Sequence, residues 1–399
     1  MRRLWLVLCL MVPAQAAFAL PTAGVTVINN RDYYPAVMRL IEQAQSWIAI
    51  TSFQARYYED YPGSDSNNLC DALVAAAHRG VKVTFLVDLE DSDWNHNNDQ
   101  NADFAHRLAE GGCSVYYDNG NHVSHTKLVV VDGVASVISS VNWSHYALTS
   151  NNECAVIVWG PEIAQAAYNY VAEQTADGRL QTEDRPLSPF EVSPATELRD
   201  DGDGVDVAAY AAARELPLLP CSDAELLINE GYYPAVKELI DHAERRIDVV
   251  QMDASYYRLR PSHAGPPQPG QTSISRTNDL LNALGEAAHR GVDVELTLDG
   301  GRAFEEGQPV QNDNLDFALR ARSRGCKVWW DSPQVTTHAK FLVIDDDTSI
   351  VGSTNWSLFG VEGENNEMSV LMRSPDVASR MEGLVTAIRA SGEAFTGEF

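Results

Sequence analysis

The chain has 399 residues, with 29 Lys and Arg against 56 Asp and Glu, for a formal net charge of −27. That length suits two domains. So acidic a surface repels nucleic acid and anionic membranes at long range, which counts against a nuclease and leaves room only for a local basic pocket.

Residues 1–19 read as a secretory leader. Arg2 and Arg3 precede an apolar run from Leu4 to Val12, and Ala17-Phe18-Ala19 forms a small-x-small cleavage site. The run is too short to span a bilayer comfortably. The expectation is therefore cleavage, a mature chain starting near Leu20, and a periplasmic or secreted address. Loss of the two leader arginines takes the charge from −27 to −29. Beyond Cys9 lie Cys70, Cys113, Cys154, Cys221 and Cys326. Export permits disulfides, but an odd count leaves at least one thiol unpaired. Cys113 and Cys326 occupy equivalent repeat positions and are expected to fill core space.

Val25 to Ile28 reads as a strand. Pro35 opens a helix whose apolar face is Val37, Leu40, Ile41 and Ala44. Trp47 to Phe53 is a strand. Asn67 or Asn68 can cap a helix through Leu69, Leu73 and Ala76 that Gly80 closes. Val81 to Val87 is a strand, Asp103 to Glu110 a helix, and Val115 to Tyr117 a strand. The same order then recurs. Tyr33-Tyr34-Pro35-Ala36-Val37 matches Tyr232-Tyr233-Pro234-Ala235-Val236, and Phe104 to Asn142 aligns without gaps to Phe317 to Asn355. The predicted division is a leader (1–19), a first repeat (20–179), a linker (180–222) and a second repeat (223–399). Alternating strands and helices predict an α/β/α sandwich with a mixed sheet in each repeat. The linker is Pro-rich, with a short helix expected at Ala208 to Glu215. Its Asp201–Asp206 stretch hints at a calcium loop, but Val205 replaces an acid and the distal Glu is misplaced, so an acidic turn is expected. An insertion rich in Pro, Gly and Ser, Arg258 to Arg276, distinguishes the second repeat; it reads as a pocket rim or a surface loop.

The chemistry sits in the repeated motif. His125-Thr126-Lys127 precedes the apolar run Leu128–Val131, then Asp132, then Ser139-Ser140-Val141-Asn142. His338-Ala339-Lys340 precedes Phe341–Ile344, then Asp345, then Gly352-Ser353-Thr354-Asn355. The apolar runs predict strands buried on both faces. Alternation along the chain points His and Lys of each motif the same way. A second strand (Ala135 to Ile138; Ser349 to Val351) returns Asn142 and Asn355 to the same end. Each copy thus offers an imidazole, an ammonium and an amide on one surface, which is half of a phosphate site. Chance could supply one His-x-Lys; two gap-free copies with the same distal residues are not noise.

This doubled H-x-K-x4-D pattern resembles the phospholipase D superfamily. Asn151-Asn152-Glu153 and Asn365-Asn366-Glu367 resemble its downstream N-x-E segment. One departure is Ser139, where the family usually has Gly. The resemblance implies the same sandwich fold, two repeats related by a pseudo-two-fold, and a two-step path through a phosphohistidine. It also implies that the first-motif histidine is the nucleophile, so His125 takes that role and His338 that of acid/base. An imidazole with an unperturbed pKa of about 6.5 suits either task. Lys127, Lys340, Asn142 and Asn355 would stabilise the phosphoryl charge. Glu153 and Glu367 would orient the imidazoles. Asp132 and Asp345, at the far ends of the buried strands, are expected to be structural, bonding turn amides. Trp143 and Trp356 follow the asparagines; core packing is the default and lining the cleft the alternative.

No cofactor or metal is expected, since the lysines supply the charge and no carboxylate cluster accompanies the motifs. The first functional reading is hydrolysis of phospholipid head-group esters by a monomer in transient contact with a membrane or micelle surface. The alternatives are a nuclease, disfavoured by charge; a cardiolipin-synthase-like phosphatidyltransferase, disfavoured by the missing membrane helices; and a dead binding module, disfavoured by complete motifs.

Overall fold

In each repeat the apolar run after His-x-Lys becomes a central strand, Leu128–Val131 or Phe341–Ile344, with every residue buried. The computed structural model describes residues 19–89, 97–180, 188–189, 216–257, 275–301, 304–305, 308–309 and 313–397. The leader, the Asp201–Asp206 turn, the Ala208–Glu215 helix and most of the Arg258–Arg276 insertion lie outside the described residues.

Both sheets are mixed. In the first repeat, Trp47–Ser52, Lys82–Val87 and Ser114–Tyr117 run parallel, while Leu128–Val131, Ala135–Ser139, Ala155–Trp159 and Gly24–Val27 continue from Trp47–Ser52 as an antiparallel meander. The second repeat copies this order with Arg246–Gln251, Asp293–Leu298 and Lys327–Trp330 parallel, and Phe341–Ile344, Thr348–Gly352, Met368–Arg373 and Asp223–Ile228 antiparallel. One strand changes partners. Leu20–Pro21, at the start of the first repeat, pairs with Asp223 and Ala224 of the second sheet.

Helix spacing decides which face each sheet covers. Tyr33–Gln43 buries Ala36, Val37, Leu40 and Ile41, the i, i+1, i+4, i+5 stripe of a helix lying on a sheet. With Asp65–His78 and Asn97–Glu110 it forms an outer layer. Tyr232–His242, Arg276–Arg290 and Asp313–Ser323 do the same in the second repeat. The Asp65–His78 cap is Ser64, whose hydroxyl accepts from the Asn67 backbone N–H at 3.2 Å. Asn67 is instead buried, its amide clamped to the Tyr58 backbone, so the expected Asn cap is corrected.

Two long helices that the periodicity reading passed over, Pro161–Asp177 and Pro375–Ser391, each begin with Pro at the first turn. They lie on the inner faces and share one apolar core with both sheets. Leu128, Val130 and Ile163 belong to it, as do Phe341, Val343, Met368 and Met381. Each such side chain contributes about 1.5–3 kcal/mol when buried, so the repeats are joined by a true core. Cys221 and Leu219, expected within a linker, are anchored: Cys221 is buried in this core, and Leu219 bridges to Val25. All five described cysteines are buried free thiols.

Candidate active site

The two Asp residues of the motifs sit at the turn ending each central strand, with φ of 50° and 52°. Asp132 accepts from the backbone N–H groups of Gln45, Ser46 and Trp47 at 2.8–2.9 Å. Asp345 accepts from Glu244, Arg245 and Arg246. Both therefore tie one strand end to the start of its neighbour, far from His and Lys.

At the opposite end the repeats interlock. The His125 backbone N–H donates to Asn366 O at 3.0 Å, and that of His338 to Asn152 O at 2.9 Å. Ser124 bridges to Asn366 and Thr337 to Asn152. Each motif is thus fastened to the N-x-E segment of the other repeat. The side chains follow the backbone. His125 Nδ1 lies 2.9 Å from Glu367 Oε1, and His338 Nδ1 lies 3.0 Å from Glu153 Oε2. The orienting acids are exchanged between repeats, a pairing over 242 and 185 residues that local spacing does not reveal. Within its own repeat each Glu accepts from a serine and an asparagine: Glu153 from Ser140 and Asn151, Glu367 from Ser353 and Asn365.

The reactive groups are enclosed. His125 and His338 are each 8% exposed, and Lys127 and Lys340 are 3% and 2% exposed. Each lysine ammonium donates to the carbonyl of its own motif histidine. Burial, with the charges of Lys127 and Lys340, pushes the His125 imidazole down, against the opposing pull of Glu367. Burial takes His338 to about 4, against the pull of Glu153. Each imidazole therefore feels the ammonium of the other repeat, which places both motifs in one centre. Burial and Lys340 bring Lys127 down to about 7. Burial raises the Glu367 carboxyl, but His125 and Lys127 outweigh it and hold Glu367 below its usual range. The empty site is thus a pair of neutral imidazoles, with Nδ1–H held by a carboxylate and Nε2 presented as a lone pair. Among the described residues, Asn142 Oδ1 and Asn355 Oδ1 are buried without a hydrogen-bond partner. An amide oxygen accepts, so each suits a donor such as an alcohol hydroxyl, while the amide N–H groups can donate to a phosphoryl oxygen. Among the described residues no group of three His, Cys, Asp or Glu side chains is arranged to hold a metal ion.

Ser139 is accommodated by its cross-strand neighbour. It pairs with Ala155, whereas its counterpart Gly352 pairs with Ser369. A Cβ at Gly352 would collide with the Ser369 hydroxyl and the Met368 carbonyl. The two repeats thus place one hydroxyl each in this space, from opposite strands. Trp143 and Trp356 do not line the cleft: both are buried, and their indole N–H groups donate to Tyr33 and Tyr232 at 3.0 Å. Core packing, the default expected of Trp143 and Trp356, is what the structure shows; upstream, Trp330 is also buried and Trp329 donates to Glu295.

Four acids behind the histidines escaped the sequence reading. Asp88 and Asp118 end two parallel strands, as do Asp299 and Asp331 in the second repeat, and all four are buried. Asp88 Oδ1 accepts from the Ser124 N–H at 2.7 Å, and Asp299 Oδ1 from that of Thr337 at 3.3 Å, each the residue just before a motif histidine. Burial raises the Asp118 and Asp331 carboxyls, and each bonds its acidic neighbour. Two carboxyl groups this close share one proton. The recurrence of Asp directly after the apolar strand in both copies was the available signal. Asp118→Ala, which strands Asp88, is expected to cost about 2–3 kcal/mol in urea unfolding. Asp118→Asn keeps a neutral donor and should cost less than about 1 kcal/mol. Equal losses would show that no proton is shared.

Comparison with known proteins agrees with this geometry. A family model described as Cardiolipin synthase, PLD-like domain matches residues 37–174 and 236–388. Cardiolipin synthase B of Shigella flexneri is 25% identical over 338 residues, 82% of this chain and 71% of that protein. Cardiolipin synthase B of Escherichia coli strain K12 is 26% identical over the same shares. In fold, the chain is similar to the solved structure of phosphatidylserine synthase from Haemophilus influenzae Rd KW20, with a TM-score of 0.67 and 14% identity over 95% of this chain and 89% of that one. Two sandwich repeats with doubled motifs, matched by one family model over most of their length, establish that this chain belongs to the phospholipase D superfamily.

Proposed function

We propose that this enzyme is a phosphatidyltransferase, passing the phosphatidyl group of a phospholipid to an alcohol through a phosphohistidine. The observation that carries this reading is the enclosed pair of histidines, each oriented by the other repeat's glutamate. His125 Nε2 attacks phosphorus, and the bond to the head-group oxygen breaks. His338, protonated once the anionic diester occupies the centre, gives its proton to the leaving alcohol. An acceptor hydroxyl then surrenders its proton to His338 and attacks phosphorus, breaking the P–N bond. Lys127 and Lys340 balance the phosphoryl charge throughout.

Hydrolysis and transfer differ only in what attacks the phosphohistidine. A centre whose reactive groups are 2–8% exposed disfavours bulk water and leaves the intermediate to an acceptor that is bound. The cardiolipin synthase relatives point the same way. This reverses the sequence-based ranking, which placed head-group hydrolysis first. The missing span was a poor argument: no helix among the described residues is long and apolar enough to cross a membrane, but a lipid site can be loaded from a surface. The test is product analysis by mass spectrometry after incubation with phosphatidylglycerol in mixed micelles, with and without added alcohols. Transfer products should exceed phosphatidate. Phosphatidate alone, whatever alcohol is supplied, would restore the hydrolase, and DNA cleavage without lipid turnover would overturn both.

A further inference from the structure

The two halves of the site are symmetric at the histidines but not around them. Phe53 packs edge-on against His125 with ring centroids 4.9 Å apart, and Lys127 Nζ lies 4.9 Å from the Phe53 ring. In the second repeat that place belongs to Met252, whose sulfur lies 3.5 Å from Lys340 Nζ. The divergence grows outward. Ala55 and Ala254 hold equivalent bridges to Trp143 and Trp356 and fix the register. By that register Gln54 faces Asp253 in the alignment of repeats, Arg56 faces Ser255, and His145-Tyr146 faces Leu358-Phe359. The tyrosine at Tyr58 and Tyr257 is kept, because its hydroxyl accepts from the N–H of His145 or Leu358 in both copies.

Residues that differ, together with the kept Tyr58 and Ser144, surround a cavity. Gln54, Arg56, Tyr58, Tyr61, His145 and Tyr146 line a space of about 620 Å³. Phe53, touching His125, directly precedes Gln54, and Asn142 lies two residues before Ser144 on the cavity wall. The cavity wall and the phosphoryl centre are thus built on the same two chain segments, although no motif histidine or lysine lines the cavity itself. Among the described residues, no carboxylate lies within ion-pair distance of Arg56. With its carbonyl turned toward the guanidinium, the Gln54 side chain accepts from Arg56 Nη2 at 3.1 Å and steadies it. His145 lies near Asp65, so among the described residues Arg56 is the lining side chain with a positive charge and no carboxylate beside it. Tyr61 and Tyr146 are 54% and 71% exposed, T-shaped against His145 with centroids 5.9 and 5.3 Å apart, and offer hydroxyls at the rim.

We propose that this cavity is a subsite for a second phosphate, one that does not react, carried by the lipid or alcohol whose other end is at the histidines. A guanidinium with free N–H groups, a rim of hydroxyls and a volume fit for a glycerophosphate head group suit that ligand. The proposal rests on the transferase reading for the acceptor and stands apart from it for the donor. Arg56 would make the enzyme prefer anionic partners in spite of the protein's charge.

The experiment has two arms, with wild type and Arg56→Gln. In the acceptor arm, one phosphatidyl donor is offered glycerol 3-phosphate or glycerol. In the donor arm, consumption of phosphatidylglycerophosphate is compared with that of phosphatidylglycerol. The substitution should lower the preference for the phosphate-bearing partner about tenfold or more in at least one arm, and Arg56→Lys should recover part of it. Loss in the acceptor arm places the second phosphate on the incoming alcohol; loss in the donor arm places it on the departing head group. Unchanged ratios in both arms overturn the subsite. If wild type forms phosphatidate with every acceptor, the transferase reading fails, while the donor arm still decides the subsite.

Discussion

Alanine at His125 or His338 is expected to lower turnover by about four to six orders of magnitude, the loss seen when one member of a catalytic unit is removed. In the proposed path each imidazole is a reactant, one forming the bond to phosphorus and the other moving the proton. Folding should survive, because the glutamate left behind keeps its serine and asparagine partners: Ser353 and Asn365 for Glu367, Ser140 and Asn151 for Glu153. The two variants should nevertheless fail differently. With a diester whose leaving group needs no proton, such as a p-nitrophenyl ester, His338→Ala should release about one equivalent per site in a burst and then stall as phospho-enzyme. His125→Ala should show no burst. A burst in both variants would mean that either histidine can attack; near-normal turnover in either would remove the two-histidine mechanism.

What the sequence made legible follows from range. The His-x-Lys pairs and the buried strands behind them depend on spacing within a dozen residues, and periodicity reads that directly. That Asp132 and Asp345 are structural could be read from their place at the strand ends, but the amides they bond lie 85 to 101 residues away. The exchange of Glu153 and Glu367 is not legible from spacing, because each acid meets a histidine from the other repeat only after two sheets have packed on a shared core. The same limit hid Pro161–Asp177 and Pro375–Ser391, whose partners are two sheets rather than one. Trp143, next to Asn142, packs into the core and donates to Tyr33, as the default for a large indole beside a buried strand predicts. Asp88 and Asp118 recur as Asp299 and Asp331 after equivalent strands, but only their common burial shows that they act on the loop before the histidine.

Exchange of the orienting acids gives a signature that same-repeat pairing cannot produce. Glu367→Gln and Glu153→Gln should each reduce kcat/KM by about 10²- to 10⁴-fold, as when the acid behind a catalytic histidine loses its charge. The limb of the pH profile that moves should identify which histidine each acid serves. Glu367 raises the His125 pKa, so its removal lets that pKa fall. In the proposed path His125 acts unprotonated, and the limb it controls is loss of activity toward acid; Glu367→Gln should move that limb to lower pH. Glu153 raises the His338 pKa, so its removal lets that one fall. In the proposed path His338 acts protonated in the substrate complex, and the limb it controls is loss of activity toward alkali; Glu153→Gln should move that limb to lower pH, so it narrows the profile where Glu367→Gln broadens it. Pairwise combination supplies the connectivity. Adding Glu367→Gln to His125→Ala should cost little more than His125→Ala alone, because the acid acts through that imidazole, whereas Glu153→Gln should add a further loss. Additivity in the reverse pattern would assign each acid to its own repeat's histidine and break the interlocked centre.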